Sequence, residues 1–125
     1  MIADLRCLVL DCPEPRALAE FYRAVLGGEV DRPDRRRALG EGWSTLHAPG
    51  GLVLCFQGVP GHRPPTWPDP AAPQRSHLDF GVPDLDTAHT QVLARGATLL
   101  DAGEGNRSRL VYADPAGHPF CLVRH

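Results

Sequence analysis

The sequence contains no lysine; all 13 of its basic residues are arginine. Schiff-base chemistry and lysine general-base chemistry are therefore excluded. Charge excess is also missing: the net charge of −2 gives no electrostatic reason for a nucleic-acid or anionic-membrane partner. No apolar run approaches the ~20 residues that span a bilayer. The first residues, MIADLRCLVLD, carry the acidic Asp4 and only a short apolar stretch, so they do not read as a signal peptide. A cytoplasmic location is the expectation. None of the four cysteines (Cys7, Cys12, Cys55, Cys121) forms a CxxC pair. In a cytosolic chain they are expected as thiols or ligands, without a disulfide framework. Ser-His-Asp spacing, a P-loop and GxGxxG are all absent, which removes support for hydrolase, NTPase and dinucleotide readings.

What remains is a globular chain of 125 residues, 42% hydrophobic and 22% charged, long enough for one core. Leu5–Asp11 is short and apolar, as a strand is. Beyond a proline-flanked turn, Leu18, Phe21, Tyr22, Val25 and Leu26 form one helical stripe, stopped by Gly27 and Gly28. Gly42–His47 and Leu52–Gln57 predict a hairpin around Pro49-Gly50-Gly51. The run Arg35–Arg37 reads as a solvated loop. The proline-rich segment 58–74 reads as a linker or lid between a module at about 1–58 and another at about 75–125.

After that segment the pattern starts again. Ser76–Val82 predicts a strand, Asp84 an N-cap, and Leu85–Arg95 a helix ending at Gly96. Thr98–Asp101, Arg109–Ala113 and Pro119–Val123 supply three further strands. CLVLDCPEP from Cys7 lies over HLDFGVPDL from His77 at an offset of 70 residues. APGGLVLCF lies over DPAGHPFCL at an offset of 66, matching Cys55 with Cys121. The chain is two copies of one strand–helix–three-strand unit.

Strand side chains alternate faces, so each unit presents two surfaces. Leu8 and Leu10, with Leu78, Phe80 and Val82, should carry the helices. Cys7, Val9 and Asp11, with His77, Asp79 and Gly81, belong to the other face. By the same parity Val53, Cys55 and Gln57, Cys121 and Val123, Trp43, Thr45 and His47, and Arg109 and Val111 join that second face. Apolar walls with a few polar groups suit a small-molecule pocket. Its expected lining is Asp11, Trp43, His47, Gln57, Arg109, Val9, Val53 and Val123. His77 and Asp79 are the candidate proton-transfer pair, and Arg109 a clamp for a carboxylate or phosphate. Trp43 and Trp67 are candidates for stacking on a flat ligand. Cys12 falls on the helix side as packing, and His62, His89, His118 and His125 are expected to face solvent. Asn106-Arg107-Ser108 matches a glycosylation sequon, which carries no meaning without a secretory signal.

Through CPEPRALAEFYRAVLGG, SHLDFGVPDLDTAHTQVLARGA and above all the final DPAGHPFCLV, the chain resembles the vicinal oxygen chelate superfamily. That superfamily includes glyoxalase I, bleomycin and fosfomycin resistance proteins, and ring-cleaving dioxygenases. The resemblance is greatest to its glyoxalase-like actinobacterial branch. It implies an α+β fold of two tandem βαβββ modules, with curled mixed sheets around a shared cavity, often within a homodimer. The family's metal positions transfer to Cys7, Cys55, His77 and Cys121, of which only His77 belongs to the family's usual set of His, Gln and Glu. The expectation is a small-molecule-binding protein without a cofactor, sequestering a drug-like or planar compound. Two alternatives stand beside it: a metal-dependent lyase, isomerase or epimerase of glyoxalase type, and a Cys3His zinc or copper site of structural or sensing role.

Overall fold

The computed structural model describes residues 1–33, 41–66, 71, 76–105 and 108–125. The Arg35–Arg37 run, Trp67, much of the proline-rich segment and Asn106-Arg107 lie outside the described residues. The chain divides into two compact units, Met1–His62 and Arg63–His125.

In the first unit come β1 (Leu8–Cys12), α1 (Pro15–Leu26), β2 (Glu29–Val30), β3 (Trp43–His47) and β4 (Val53–Gly58). In the second come β5 (Leu78–Val82), α2 (Leu85–Ala94), β6 (Thr98–Asp101), β7 (Arg109–Ala113) and β8 (Pro119–Arg124). Each unit holds a four-stranded mixed sheet with one topology, β1-β4-β3-β2 and β5-β8-β7-β6. The first strand of each runs parallel to the last: Leu8 lies opposite Leu54, and Leu78 opposite Phe120. These are the two tandem βαβββ modules of an α+β fold. No helix among the described residues is long and apolar enough to cross a membrane.

Both helices begin where the sequence stops favouring strand. Proline at the first position of α1 needs no N–H partner, and Gly27, at φ +76°, closes the helix with its N–H on the Arg23 carbonyl (2.8 Å). Asp84 caps α2 as expected, its Oδ1 accepting the Thr87 N–H at 2.8 Å. That bond lowers the Asp84 pKa below the usual aspartate value. Gly96, at φ +103°, follows its end.

The two cores are built by opposite means. In the first unit the helix brings the large rings: Phe21 and Tyr22 are buried, and Tyr22 stacks on Phe56 at 5.8 Å. In the second the strands bring them: Tyr112 stacks on Phe120 at 5.4 Å, and Phe80 lies 5.7 Å from Phe120. The helix there contributes only Leu85 and Val92 to the buried set. Each fully buried large side chain stabilises its unit by about 1.5–3 kcal/mol. Cys12 is wholly buried, and its thiol reaches the Gln57 carbonyl at 3.6 Å.

Three histidines differ from expectation. His62 and His118 are half-buried. His89 is half-buried too, because one turn after Leu85 it points back to the sheet, with Nδ1 2.8 Å from the Tyr112 hydroxyl. A buried phenol needs a partner, and the helix supplies it.

Candidate functional site

The face of each sheet away from its helix gathers the residues singled out by strand parity. In the first unit, register sets Trp43 opposite Gln57 and Gln57 opposite Asp11. The next row is Thr45, Cys55 and Val9, and His47 lies opposite Val53. Cys55, Val53 and Thr45 are buried, Trp43, His47 and Gln57 half-buried, and Asp11 exposed. Val9 remains 42% exposed. Cys7 is half-buried immediately before β1.

In the second unit the equivalent row is Val111, Cys121 and Asp79, with Arg109 opposite Val123 beside it. His77 precedes β5, and its Nε2 lies 3.3 Å from Asp79 Oδ1. Ligand-capable atoms of His77, Asp79 and Cys121 all fall within 4.8 Å of one another. Cys121 is buried, whereas both of its neighbours are exposed. Burial pushes the Cys121 thiol up to about 11; donation of its hydrogen to the Asp79 carboxylate and the negative charges of Asp79 and Asp101 add to the shift, while Arg109 opposes it. The thiol therefore stays protonated at neutral pH, a hydrogen-bond donor and not a nucleophile.

A cavity of about 820 Å³ opens on this face, lined by Asp79, Asp101, Glu104, Arg109, Val111 and Val123, among others. Four of these residues were expected on this face from strand parity: Asp79, Arg109, Val111 and Val123. Asp101 and Glu104 were not. Leu99 pairs with Tyr112, yet Asp101 pairs with Val111, so the register shifts by one residue between them. Such a bulge flips the following side chain to the opposite face. Simple alternation keeps Asp101 with Leu99, on the helix side. No sequence signal marked Glu104, which follows the strand.

The cluster offers Cys, His and Asp donors from one module. Three such donors fit zinc, with a fourth position open, better than they fit manganese, which prefers oxygen. Occupancy requires the Cys121 proton to leave.

These features bear comparison with known proteins. No curated protein matches the sequence. A hypothetical protein from S. aureus shares the fold with TM-score 0.72 at 14% identity, over 100% of both chains. A glyoxalase/bleomycin resistance protein/dioxygenase family enzyme from Burkholderia phytofirmans gives 0.71 at 19% identity, over 98% of both. A genomically encoded fosfomycin resistance protein from Listeria monocytogenes gives 0.70 at 15% identity, over 99% of this chain and 93% of that one. It is a Glu-to-Gln variant complexed with Mn(II) and 1S,2S-dihydroxypropylphosphonic acid. The family described as a glyoxalase-like domain matches residues 7–123. This chain belongs to that glyoxalase-like family, within the vicinal oxygen chelate superfamily.

Proposed function

We propose that the chain binds a small organic molecule on the open face of its second module and sequesters it. The observation that carries this reading is the 820 Å³ cavity, whose lining pairs apolar Leu100, Val111 and Val123 with polar Asp79, Ser108 and Arg109. Cavities of this size take drug-sized ligands, and a few polar groups set their orientation. Arg109 is a bidentate donor for a ligand oxyanion, while Asp79, Asp101 and Glu104 in the same lining suit a cationic group on the same ligand. His77 and Asp79 orient the bound molecule, and the neutral Cys121 thiol lies beside them. A cytoplasmic homodimer belongs to the same reading, and a monomeric mass in solution counts against the dimer.

A second reading is favoured by the His77, Asp79 and Cys121 cluster and by the Mn(II) held by the Listeria protein. Here these three residues hold zinc, which when bound would polarise a ligand oxygen. Cys7 and Cys55, at the family's other metal positions, lie in the first unit.

Metal content decides between them. Untagged, reduced protein is assayed for metal before and after chelation, alongside Cys121→Ser. Metal-free protein whose stability ignores chelator supports sequestration. About one zinc per chain, lost in Cys121→Ser, overturns it in favour of the metal site. Sequestration additionally requires a ligand whose binding weakens in Arg109→Ala, found by screening small planar compounds.

A further inference from the structure

The internal repeat lets each module serve as the other's reference, and the helix side of the two sheets differs at one place. In the first module that place is bridged by side-chain hydrogen bonds. Asp31, an exposed non-glycine residue at φ +53°, ties its carboxylate to β3. Its Oδ1 accepts the Thr45 N–H at 2.9 Å, while Oδ2 meets Ser44 Oγ at 3.3 Å and Arg16 Nη1 at 3.2 Å. Gly58 closes the space from the sheet: a Cβ there would come within 3.1 Å of the Gly42 carbonyl and 3.3 Å of Pro15.

In the second module register puts Leu110 where Ser44 stands, and Arg124 where Gly58 stands. The offset of the helices puts Asp86 at the position of Arg16. Ser44's hydroxyl and Arg16's guanidinium thus have no counterpart to hold a carboxylate there. The space stays open as a cavity of about 350 Å³, lined by Leu85, Asp86, His89, Leu99, Leu110 and Arg124, among others. Its floor is leucine. Among the described residues, Asp84 and Asp86 at its rim outnumber Arg124. His89 is a fixed wall, held by the Tyr112 hydroxyl at 2.8 Å.

We propose that this cavity is a second binding site, separate from the open face of the sheet, for a compact bicyclic ligand bearing a protonated amine. Size argues for the ring system. An apolar cavity of ~150 Å³ accepts benzene, so a space of about 350 Å³ takes two fused rings. Charge argues for the amine, since Asp86 and the capping Asp84 face one guanidinium, Arg124, among the described lining residues. The site uses no residue of the His77, Asp79 and Cys121 cluster, so its failure leaves the function proposed above intact.

The probe is tryptamine, with indole-3-acetate as its anionic counterpart, titrated into the reduced, ¹⁵N-labelled full chain. Tryptamine should shift the amides of Leu85, His89, Leu99 and Leu110 and bind several-fold more tightly than indole-3-acetate. Leu110→Phe fills the floor and should abolish those shifts. Should that variant not fold, the exposed Asp86→Asn decides: tryptamine affinity should fall about threefold, as an exposed charge pair allows. The proposal is overturned if tryptamine shifts Asp79, Val111 and Val123 instead, or shifts none of these groups. Equal affinity for the two probes, or unchanged tryptamine affinity in either folded variant, overturns it as well.

Discussion

Asp114→Ala should be among the most destabilising single-atom-group deletions in the second module. Asp114 is buried, between β7 and β8, and its Oδ1 accepts the N–H of Ala116 at 2.8 Å and of His118 at 3.0 Å. Hydrogen bonds to a charged acceptor contribute about 1.5–3 kcal/mol each, so losing two costs about 3 kcal/mol at the low end. With an unfolding entropy of about 2.1 cal/mol/K per residue, the 125-residue chain has about 0.26 kcal/mol/K, and Tm should drop by about 11 °C. The first module shows why the carboxylate matters. There Ala48 holds the equivalent position, and its N–H bonds the Leu52 carbonyl at 2.9 Å, as Asp114 bonds His118. That turn relies on Gly50 and Gly51, at φ +85° and +90°. The second turn has Ala116 where Gly50 stands, and braces it with a side chain instead. Differential scanning calorimetry of the wild type, Asp114→Ala and Asp114→Asn measures the effect. Asn keeps an oxygen acceptor and should lose less than Ala. A Tm drop under about 4 °C for Asp114→Ala, about 1 kcal/mol, would refute the reasoning.

Alkaline stability should carry the mark of Tyr112, pushed up to about 12 by burial from an ordinary value of 10.0. Between those values the unfolded chain releases this proton and the folded chain keeps it, so stability falls as pH rises from 10 to 12, by up to about 2.7 kcal/mol. Denaturant melts across that window should show the slope, and Tyr112→Phe should lack it. Gly117→Ala should cost more than Gly51→Ala: both residues have positive φ, near +90°, but only at Gly117 does the added Cβ strike Pro64. The shared backbone strain is about 1–2 kcal/mol, and equal losses in urea melts would contradict the additional clash. Asp31→Ala, which leaves the Thr45 N–H without its carboxylate partner, should destabilise by about 1–2 kcal/mol by the same assay.

The fold was legible because duplication writes each signal twice. The alternation in LVLDC recurs in LDFGV, and DPAGHPFCL repeats APGGLVLCF, so the strand faces follow from the sequence alone. Boundaries moved by only a few residues: β1 starts at Leu8, not Leu5, and β8 runs on to Arg124. His89 was missed although a signal existed, since Leu85, His89 and Val92 share the i, i+4, i+7 spacing of a buried stripe. Asp101 was illegible for a different reason. A bulge depends on how two strands settle against each other, and alternation along one strand contains no trace of it. The pairing of Asp79 with the Cys121 thiol lay equally beyond sequence: parity put both on one face, but only register makes them neighbours.

The strand orders also have a consequence for synthesis. Once Gly58 has been made, every strand of the first sheet exists, so that sheet has all its partners while the second is still being translated. The second sheet has no such early start. Its last-made strand, β8, is an interior one that joins β5 to β7, so until it emerges β5 has no neighbour and only the β6–β7 pair can form. Within the second sheet Pro119–Arg124 thus works as a keystone, the six residues that join β5 to the β6–β7 pair.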